Sequence, residues 1–368
     1  MYVNLTRTFG RIFPTPRILS PHAAGIDITD ASIKWVTLAP ESWGASVVAY
    51  GQQVLPPGIV EGGAVKNTQA LAETLKTIKK QLGGASFVHA ALPEEGAYVF
   101  NMHVPDAKKY KETLTMVEFE LEGRVPIPVP DTVYDYESIE EHRDGSGSEI
   151  GVVAFAREIA EGYAAAFEQA GLGLLSLEVE ARSIARAVSA KDGTDPITLL
   201  VDSGRARTGV AILKHGVPIF TSTVDVGGAE MTKVVMETLS LSEADAEKFK
   251  NEEGLVSTDP KYAATKVALE KVASLLADEV VRHYRFWDTR RNEHGERVTP
   301  VEKVYLVGGT ANLKGITDFI AAKVHAPTDR PNVWRNVTAF DAYVPPIDRR
   351  SSFQYVTAIG LALRSIPL

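Results

Sequence analysis

Two aspartates, each inside an apolar segment, are the residues of this sequence best suited to chemistry. Asp27 lies in AAGIDI and Asp202 lies in ITLLVDS, 175 positions further along the chain. A polar turn and a second apolar segment follow each of them. Burying a carboxylate is costly unless a cation or hydrogen-bond donors meet it, and Mg²⁺ binds carboxylates and water. We therefore predict two β-hairpins whose aspartates face a magnesium ion or its water molecules.

The turns after these aspartates have the composition of a phosphate site. Backbone N–H groups and small hydroxyl side chains can surround phosphate oxygens, and glycine lets the backbone come close to them. The residues expected to bind the nucleotide here are Thr29, Ser32 and Lys34 in the first hairpin, and Ser203, Gly204 and Thr208 in the second. The two hairpins together predict a cleft that holds a nucleotide.

Two Gly-Gly turns could hold the rest of that nucleotide. Gly308, Gly309 and Thr310 follow the apolar segment VYLV, and the segment DVGG contains Gly227 and Gly228. Glycine after a strand lets a base or a sugar lie against the backbone. A Gly-Gly turn between a strand and a helix is also an ordinary packing device, and that alternative stays open.

These residues require a scaffold of alternating strands and helices. SIKWVTL and SVVAYGQQVL continue AAGIDI as a meander of three strands, and the apolar residues of 65–82 have helical spacing. Residues 94–174 read as strand, helix, strand, strand and helix, which indicates an inserted subdomain. The order of strand, aspartate, turn and strand then recurs at 197–220, which indicates a duplicated domain.

The composition is that of a globular protein with more acidic than basic residues. Of 368 residues, 45% are apolar and 23% are charged, and the formal net charge of -8 disfavours non-specific nucleic-acid binding. The absence of cysteine excludes disulfide bonds and thiolate metal sites. No apolar run has the length of a transmembrane helix, and the first twenty residues lack the apolar stretch of a secretory signal. We expect a cytoplasmic protein.

The ordered motifs resemble the actin-like ATPase superfamily, and within it the PilM family of type IV pilus assembly proteins, cytoplasmic relatives of the division protein FtsA. The stretches that carry the resemblance include GIDITDASIKWV, GRVPIPVPDTVYDYESI, LLVDSGRARTGVAILKHGVPIF, LSEADAEKFKNEEG and VYLVGGTANLKGITDFIAAKV. The resemblance covers about residues 23–368, nearly the whole chain. Each stretch alone is weakly specific, and their order makes the resemblance strong.

The resemblance implies an α/β fold of the actin-like, ribonuclease H-like type, which is bilobal and duplicated and carries an inserted subdomain of the FtsA/PilM type. The implied domains are an N-terminal tail at 1–22, a first half at 23–93 with the helix at 175–195 and the C-terminal helix at 351–368, the inserted subdomain at 94–174, and a second half at 196–350.

The resemblance also implies roles for single residues. The two aspartates would act on Mg²⁺ through water, and the Gly308–Thr310 turn would flank the nucleoside. Glu247 and Lys250, three positions apart on one helix face, would meet the ribose. The alternative for this pair is an exposed salt bridge. Glu180 would lie near the cleft, or it is an acid placed favourably at a helix start.

The first hairpin departs from the family pattern, which has glycine and serine after the aspartate and its apolar neighbour. Thr29 keeps a hydroxyl but loses the free backbone of glycine, and Asp30 would bring negative charge close to the phosphates. Like charges repel strongly in a partly dry cleft. The resemblance implies binding of ATP or ADP with Mg²⁺, and this departure implies slow hydrolysis at most. The sequence also offers no well-placed general base.

The function implied by the resemblance is that of a pilus assembly adaptor. It would bind ATP and the N-terminal cytoplasmic peptide of the inner-membrane protein PilN. It would connect PilN with the pilus motor ATPase or platform at the inner face of the cytoplasmic membrane. Homo-oligomerisation is left open. The alternatives are an FtsA-like tether of division filaments, a nucleotide-free pseudo-ATPase scaffold, and a small-molecule kinase of the same superfamily.

Overall fold

The computed structural model describes residues 21–105, 110–141, 147–291, 295, 297 and 300–366, so the predicted tail at 1–22 lies outside the described residues up to residue 20. The strands are β1 (Ala23–Ile28), β2 (Ser32–Glu41), β3 (Gly44–Val54), β4 (Val60–Glu61), β5 (Ala64–Val65), β6 (Phe87–Leu92), β7 (Ala97–Val104), β8 (Thr132–Glu141), β9 (Ser148–Ala156), β10 (Gly173–Val179), β11 (Thr198–Ser203), β12 (Thr208–Lys214), β13 (Val217–Val224), β14 (Lys303–Val307) and β15 (Thr328–Asp329). The helices are α1 (Thr68–Lys79), α2 (Tyr110–Arg124), α3 (Arg157–Gln169), α4 (Glu180–Val188), α5 (Gly228–Leu239), α6 (Glu243–Glu252), α7 (Ala263–Asp288), α8 (Ile316–Val324), α9 (Arg349–Ser352) and α10 (Val356–Ala362).

Two five-stranded sheets repeat one arrangement of strands. The first has the order β10–β6–β1–β2–β3, and the second has the order β13–β12–β11–β14–β15. In the first sheet β1 pairs antiparallel with β2 and parallel with β6, and in the second β11 pairs antiparallel with β12 and parallel with β14. The repeat confirms the predicted duplication. Every residue of β1 is buried, as expected of a strand covered on both faces.

The register places both aspartates near the carboxyl ends of these central strands. Asp27 lies opposite Lys34 on β2, and Asp202 lies opposite Gly209 on β12. The parallel neighbours β6 and β14 run in the same direction as β1 and β11. Carboxyl ends of parallel strands therefore meet at one edge of each sheet, which is where open α/β sheets bind ligands.

Glycines allow α10 to pack closely on β1 and on α4. A Cβ atom at Gly25 would lie 2.1 Å from the carbonyl oxygen of Ala358, and one at Gly360 would lie 1.8 Å from the carbonyl oxygen of Ser183. Real side chains never come this close to backbone atoms, so both positions require glycine. These contacts fix the helices that lie beside the aspartate-bearing edge of the first sheet.

The predicted inserted subdomain contains a three-stranded sheet in the order β7–β9–β8 with α2 packed on it. Its own core includes Val117, Leu121 and Val152. Helix α3, by contrast, packs into the core of the first sheet, where Tyr163 and Phe167 are fully buried. The domain boundaries inferred from the sequence stay a prediction.

Helix α7 is the long amphipathic helix expected from the sequence. One side of it buries apolar residues at helical spacing, including Leu269, Leu276 and Val280. Within the described ranges, no helix combines the length and the apolar character needed to cross a bilayer.

Candidate functional site

Four carboxylates meet where the two sheets face each other. Asp27 and Asp202 come from β1 and β11, Glu94 follows β6, and Glu180 begins α4. A small cavity is lined by Glu94 and Glu180 on one side and by Asp202 and Gly209 on the other. Asp27 and Glu94 are only 5% and 6% exposed. The sequence-predicted pair of aspartates is therefore part of a larger, buried acidic cluster.

Burial raises the pKa of all four carboxyl groups, and repulsion by neighbouring acids adds to the shift at Glu94, Glu180 and Asp202. Burial raises the pKa of Glu94 to about 8, although the Ala181 N–H donates to its Oε1 at 2.7 Å. Burial and the charge of Asp27 raise the pKa of Asp202 to about 7, with Lys34 opposing the shift. The pKa of Glu180 is raised well above its usual range by burial, and then by the neighbouring acids. A cation beside such buried carboxyl groups would stabilise their ionised form.

Among the described residues, two carboxylate oxygens at this site lack the hydrogen-bond partners that buried oxygens usually have. In the part of the chain that the structure describes, Asp27 Oδ1 and Glu94 Oε2 are buried and have no hydrogen-bond partner. Unpaired buried oxygens of this kind are costly, and a bound cation or its water molecules would satisfy them. The described residues contain no group of three or more acidic or histidine side chains set to hold a metal ion directly. Water-mediated contact of Asp27 and Asp202 with Mg²⁺ stays a prediction.

Glu94 and Glu95 were missed by sequence reasoning. They follow β6 directly after Pro93, and β6 is the parallel neighbour of β1. An acid placed just after a strand that runs parallel to the Asp27 strand was the signal that could have found Glu94. The signal is weak, because the pairing of β6 with β1 is a tertiary fact.

The first hairpin is closed by its own side chains. Thr29 donates from Oγ1 to the Ser32 carbonyl at 3.0 Å, and the Ser32 N–H donates back to that hydroxyl at 3.2 Å. The Asp30 carboxylate accepts from the N–H groups of Gly62 and Gly63, both at 3.1 Å. Asp30, which we expected to repel phosphates, is thus held by donors from the β4–β5 turn.

The second hairpin is closed in a similar way. The Gly204 N–H donates to the Arg207 carbonyl at 2.9 Å. The Thr208 hydroxyl is buried and donates to the Val226 carbonyl at 2.6 Å, and it lies 3.0 Å from the Ser203 hydroxyl. Both hydroxyls therefore stabilise the hairpin from inside.

The Gly-Gly turns pack against this second hairpin. Gly308 has a φ of +83°, and a Cβ there would lie 2.4 Å from Asp202 Oδ1. A Cβ at Gly227 would lie 2.4 Å from the Arg205 carbonyl oxygen, and one at Gly228 would lie 2.7 Å from the Thr310 hydroxyl. Gly308 and Gly227 thus serve the packing that positions Asp202, whereas a Cβ at Gly309 would make only an ordinary contact with the Gln354 side chain at 3.7 Å.

Lys250 is buried, although the simplest expectation for it was an exposed salt bridge with Glu247. Its side chain is only 4% exposed, whereas that of Glu247 is 44% exposed. The Nζ atom donates to Thr232 Oγ1 at 2.7 Å, to Glu247 Oε1 at 2.9 Å and to the Gly228 carbonyl at 3.3 Å. Burial lowers the pKa of Lys250, and Glu247 opposes that shift. The pair is therefore an anchor beneath the Gly227–Gly228 turn, and the alternative of an exposed salt bridge does not describe it.

The acidic cluster should make metal-free stability depend on pH. In folded protein Glu94 and Asp202 bind protons up to about pH 8 and about pH 7, against ordinary values of 4.5 and 3.8. The folded state therefore holds more protons than the unfolded state between these limits, and the free energy of unfolding should fall as pH rises from 5 to 8. Each proton contributes up to about 1.4 kcal/mol per pH unit.

Urea unfolding in a chelating buffer at several pH values tests this. Glu94→Gln should flatten the slope, because it removes one titrating group. Glu168→Gln, at an exposed position of α3, is the matched control and should leave the slope unchanged. Equal slopes for Glu94→Gln and the unmodified protein would contradict the assignment.

Comparison with known proteins places this geometry in a family. A family model described as type IV pilus assembly protein PilM matches residues 25–366. A solved PilM-PilN type IV pilus biogenesis complex aligns with a TM-score of 0.74 at 22% identity, over 94% of this chain and 99% of that one. The ethanolamine utilization protein EutJ from Carboxydothermus hydrogenoformans aligns with a TM-score of 0.52 at 18% identity, over 95% and 91% of the two chains. MreB5 of Spiroplasma citri bound to ADP aligns with a TM-score of 0.52 at 13% identity, over 94% and 95%.

At these identities the structural matches establish the fold, which is the actin-like α/β fold expected from the sequence. Family membership rests on the family model, since its match covers both sheets, the inserted strands and the acidic cluster. The protein belongs to the PilM family of type IV pilus assembly proteins.

Proposed function

We propose that the cleft between the two hairpins binds ATP, or its product ADP, together with Mg²⁺. The observation that carries the proposal is the buried acidic cluster, in which Asp27 Oδ1 and Glu94 Oε2 lack partners. A divalent cation with bound water would satisfy these oxygens and would in turn attract a phosphate chain. The nucleotide-bound MreB5 of the same fold supports this assignment.

Each part of the cleft would then have a separate task. Asp27 and Asp202 would hold the metal through its water molecules, and the backbone of the Gly204 turn would face the phosphates. The partly exposed Gly309 backbone and the Glu247 carboxylate would receive the nucleoside. Mg²⁺, when bound, would neutralise phosphate charge, and the chain's own residues would orient the nucleotide and exclude water.

We expect binding with slow hydrolysis at most. Thr29 is engaged with Ser32 on both its N–H and its hydroxyl side, so the first hairpin offers fewer free donors to a phosphate than a glycine-serine turn would. Weak contact with the terminal phosphate favours a structural role of the nucleotide over rapid turnover.

We further propose that the protein is an adaptor that binds the N-terminal cytoplasmic peptide of PilN. The solved PilM-PilN complex, which aligns over nearly its whole length, supports this partner. Through PilN the protein would lie at the inner face of the cytoplasmic membrane and connect to the pilus motor ATPase or platform, with or without forming homo-oligomers.

Isothermal titration with ATP and with a synthetic PilN N-terminal peptide tests both parts. We expect saturable ATP binding that requires Mg²⁺, and saturable peptide binding that a scrambled peptide does not reproduce. Absence of saturable binding at millimolar ATP would identify the chain as a nucleotide-free scaffold. Absence of peptide binding would overturn the adaptor assignment and favour the division-tether alternative.

A further inference from the structure

An arginine of the second hairpin reaches across the cleft to the first. Arg207 Nη2 lies 2.8 Å from Asp30 Oδ2, and Arg207 Nη1 also pairs with Glu95. Asp30 belongs to the turn after β1, and Arg207 belongs to the turn after β11. One guanidinium therefore joins the two turns between which a phosphate chain would lie.

The contact between Arg207 and its two carboxylate partners is partly buried, and other groups hold Asp30 in place. The side chains of Arg207, Asp30 and Glu95 are 29%, 32% and 26% exposed, so they are half-buried. Asp30 is also oriented by the N–H groups of Gly62 and Gly63. A third, exposed acid, Asp225, lies 3.7 Å from Arg207 Nε.

The neighbouring arginine provides a contrast. Arg205 is in the same turn, but it pairs with Glu243 at the start of α6, and both are mainly exposed, at 62% and 51%. That pair lies entirely within the second sheet's half of the chain. Arg205 and Arg207 thus carry the same charge at nearly the same place, and only the Arg207 contacts span the cleft.

The chemistry of the cleft gives the Arg207 guanidinium a second kind of partner. A guanidinium binds carboxylates and phosphates with the same bidentate geometry. Lys250 is already engaged with Thr232, Glu247 and the Gly228 carbonyl. A phosphate chain lying between the hairpins would meet Arg207 where Asp30 and Glu95 now hold it.

We propose that Arg207 is a nucleotide-sensing latch. Without nucleotide it ties the two hairpins together through Asp30 and Glu95, and with nucleotide it exchanges these carboxylates for phosphate oxygens. The latch itself depends only on contacts of this chain, whereas the exchange rests on the proposed ATP site. Asp30, the residue that departs from the family pattern, is the first-hairpin residue that Arg207 binds in this latch.

Two measurements on the full chain test the proposal. The natural chain has no cysteine, so spin labels on Gln69→Cys in α1 and Glu237→Cys in α5, both exposed, report the distance between the halves. Without nucleotide, Arg207→Gln and Glu95→Gln should give a longer and broader distance distribution, and Arg205→Gln should match the parent.

The second measurement is the affinity for Mg·ATP. Glu95→Gln should bind about twofold to fivefold more tightly, because a competing half-exposed ion pair is lost. Arg207→Gln should bind about tenfold or more weakly, because a charge-assisted bond to phosphate is lost. Arg205→Gln should again match the parent.

The outcomes separate the latch from the ATP site. If Arg207→Gln gives the same distances as Arg205→Gln, the latch is overturned whatever the nucleotide does. If Arg207→Gln binds ATP as tightly as the parent, the exchange is overturned. If the parent binds no ATP, the proposed nucleotide function and the exchange both fail, and the distance measurement alone decides the latch.

Discussion

Replacing Asp202 by asparagine should weaken Mg·ATP binding by about tenfold to a hundredfold. The change keeps the size of the side chain and removes the charge that would face the metal. Loss of a charged partner at a buried site costs about 1.5–3 kcal/mol, which corresponds to this range. Isothermal titration of the full chain in the presence of Mg²⁺ measures the effect.

The same variant carries an internal check on folding. Because burial raises the pKa of Asp202 to about 7, ionising it weakens the metal-free fold, so Asp202→Asn should be at least as stable as the parent at pH 8. A stable variant that fails to bind would assign the loss to the site. Asp318→Asn, at an exposed position of α8, should bind normally. A folded Asp202→Asn protein with unchanged affinity would exclude Asp202 from the metal site.

Replacing Gly360 by alanine should lower the free energy of unfolding by roughly 3 kcal/mol, at the upper end of overpacking effects. The added Cβ would lie 1.8 Å from the Ser183 carbonyl oxygen. That oxygen belongs to the backbone of α4, so it cannot turn aside as a flexible side chain would. Helices α4 and α10 would have to separate next to Glu180, so nucleotide affinity should fall as well.

Gly123→Ala is the matched control for this change. Gly123 lies on the exposed face of α2, and its added Cβ would have no atom within 4 Å. Alanine is the better helix former by about 0.5–1 kcal/mol, so this variant should be slightly stabilised. Urea unfolding followed by circular dichroism compares the two. Equal stabilities of the Gly360→Ala protein and the parent would show that the helices separate at no cost.

Local sequence was enough to predict the central hairpins. Alternation of apolar segments with polar turns marks β1–β2 and β11–β12, and the repeat of that pattern indicated the duplication that the two sheets confirm. The position of Asp27 and Asp202 near strand ends follows from these segments alone. Strand identity and turn position depend on neighbouring residues, and for this reason they can be read from a single sequence.

The partners of the site residues depend on contacts between distant segments. Glu94 joins the acidic cluster because β6 pairs with β1, and Lys250 is buried because α6 packs beneath the Gly227–Gly228 turn.

The first hairpin shows most clearly what the local sequence determines and what the tertiary structure decides. Its sequence determined a strand, a buried acid and an acidic turn, and from these alone Asp30 would conflict with phosphate. The tertiary structure decided that Asp30 meets Gly62, Gly63 and Arg207, because donors 32 to 177 positions away can reach it only after both sheets have formed.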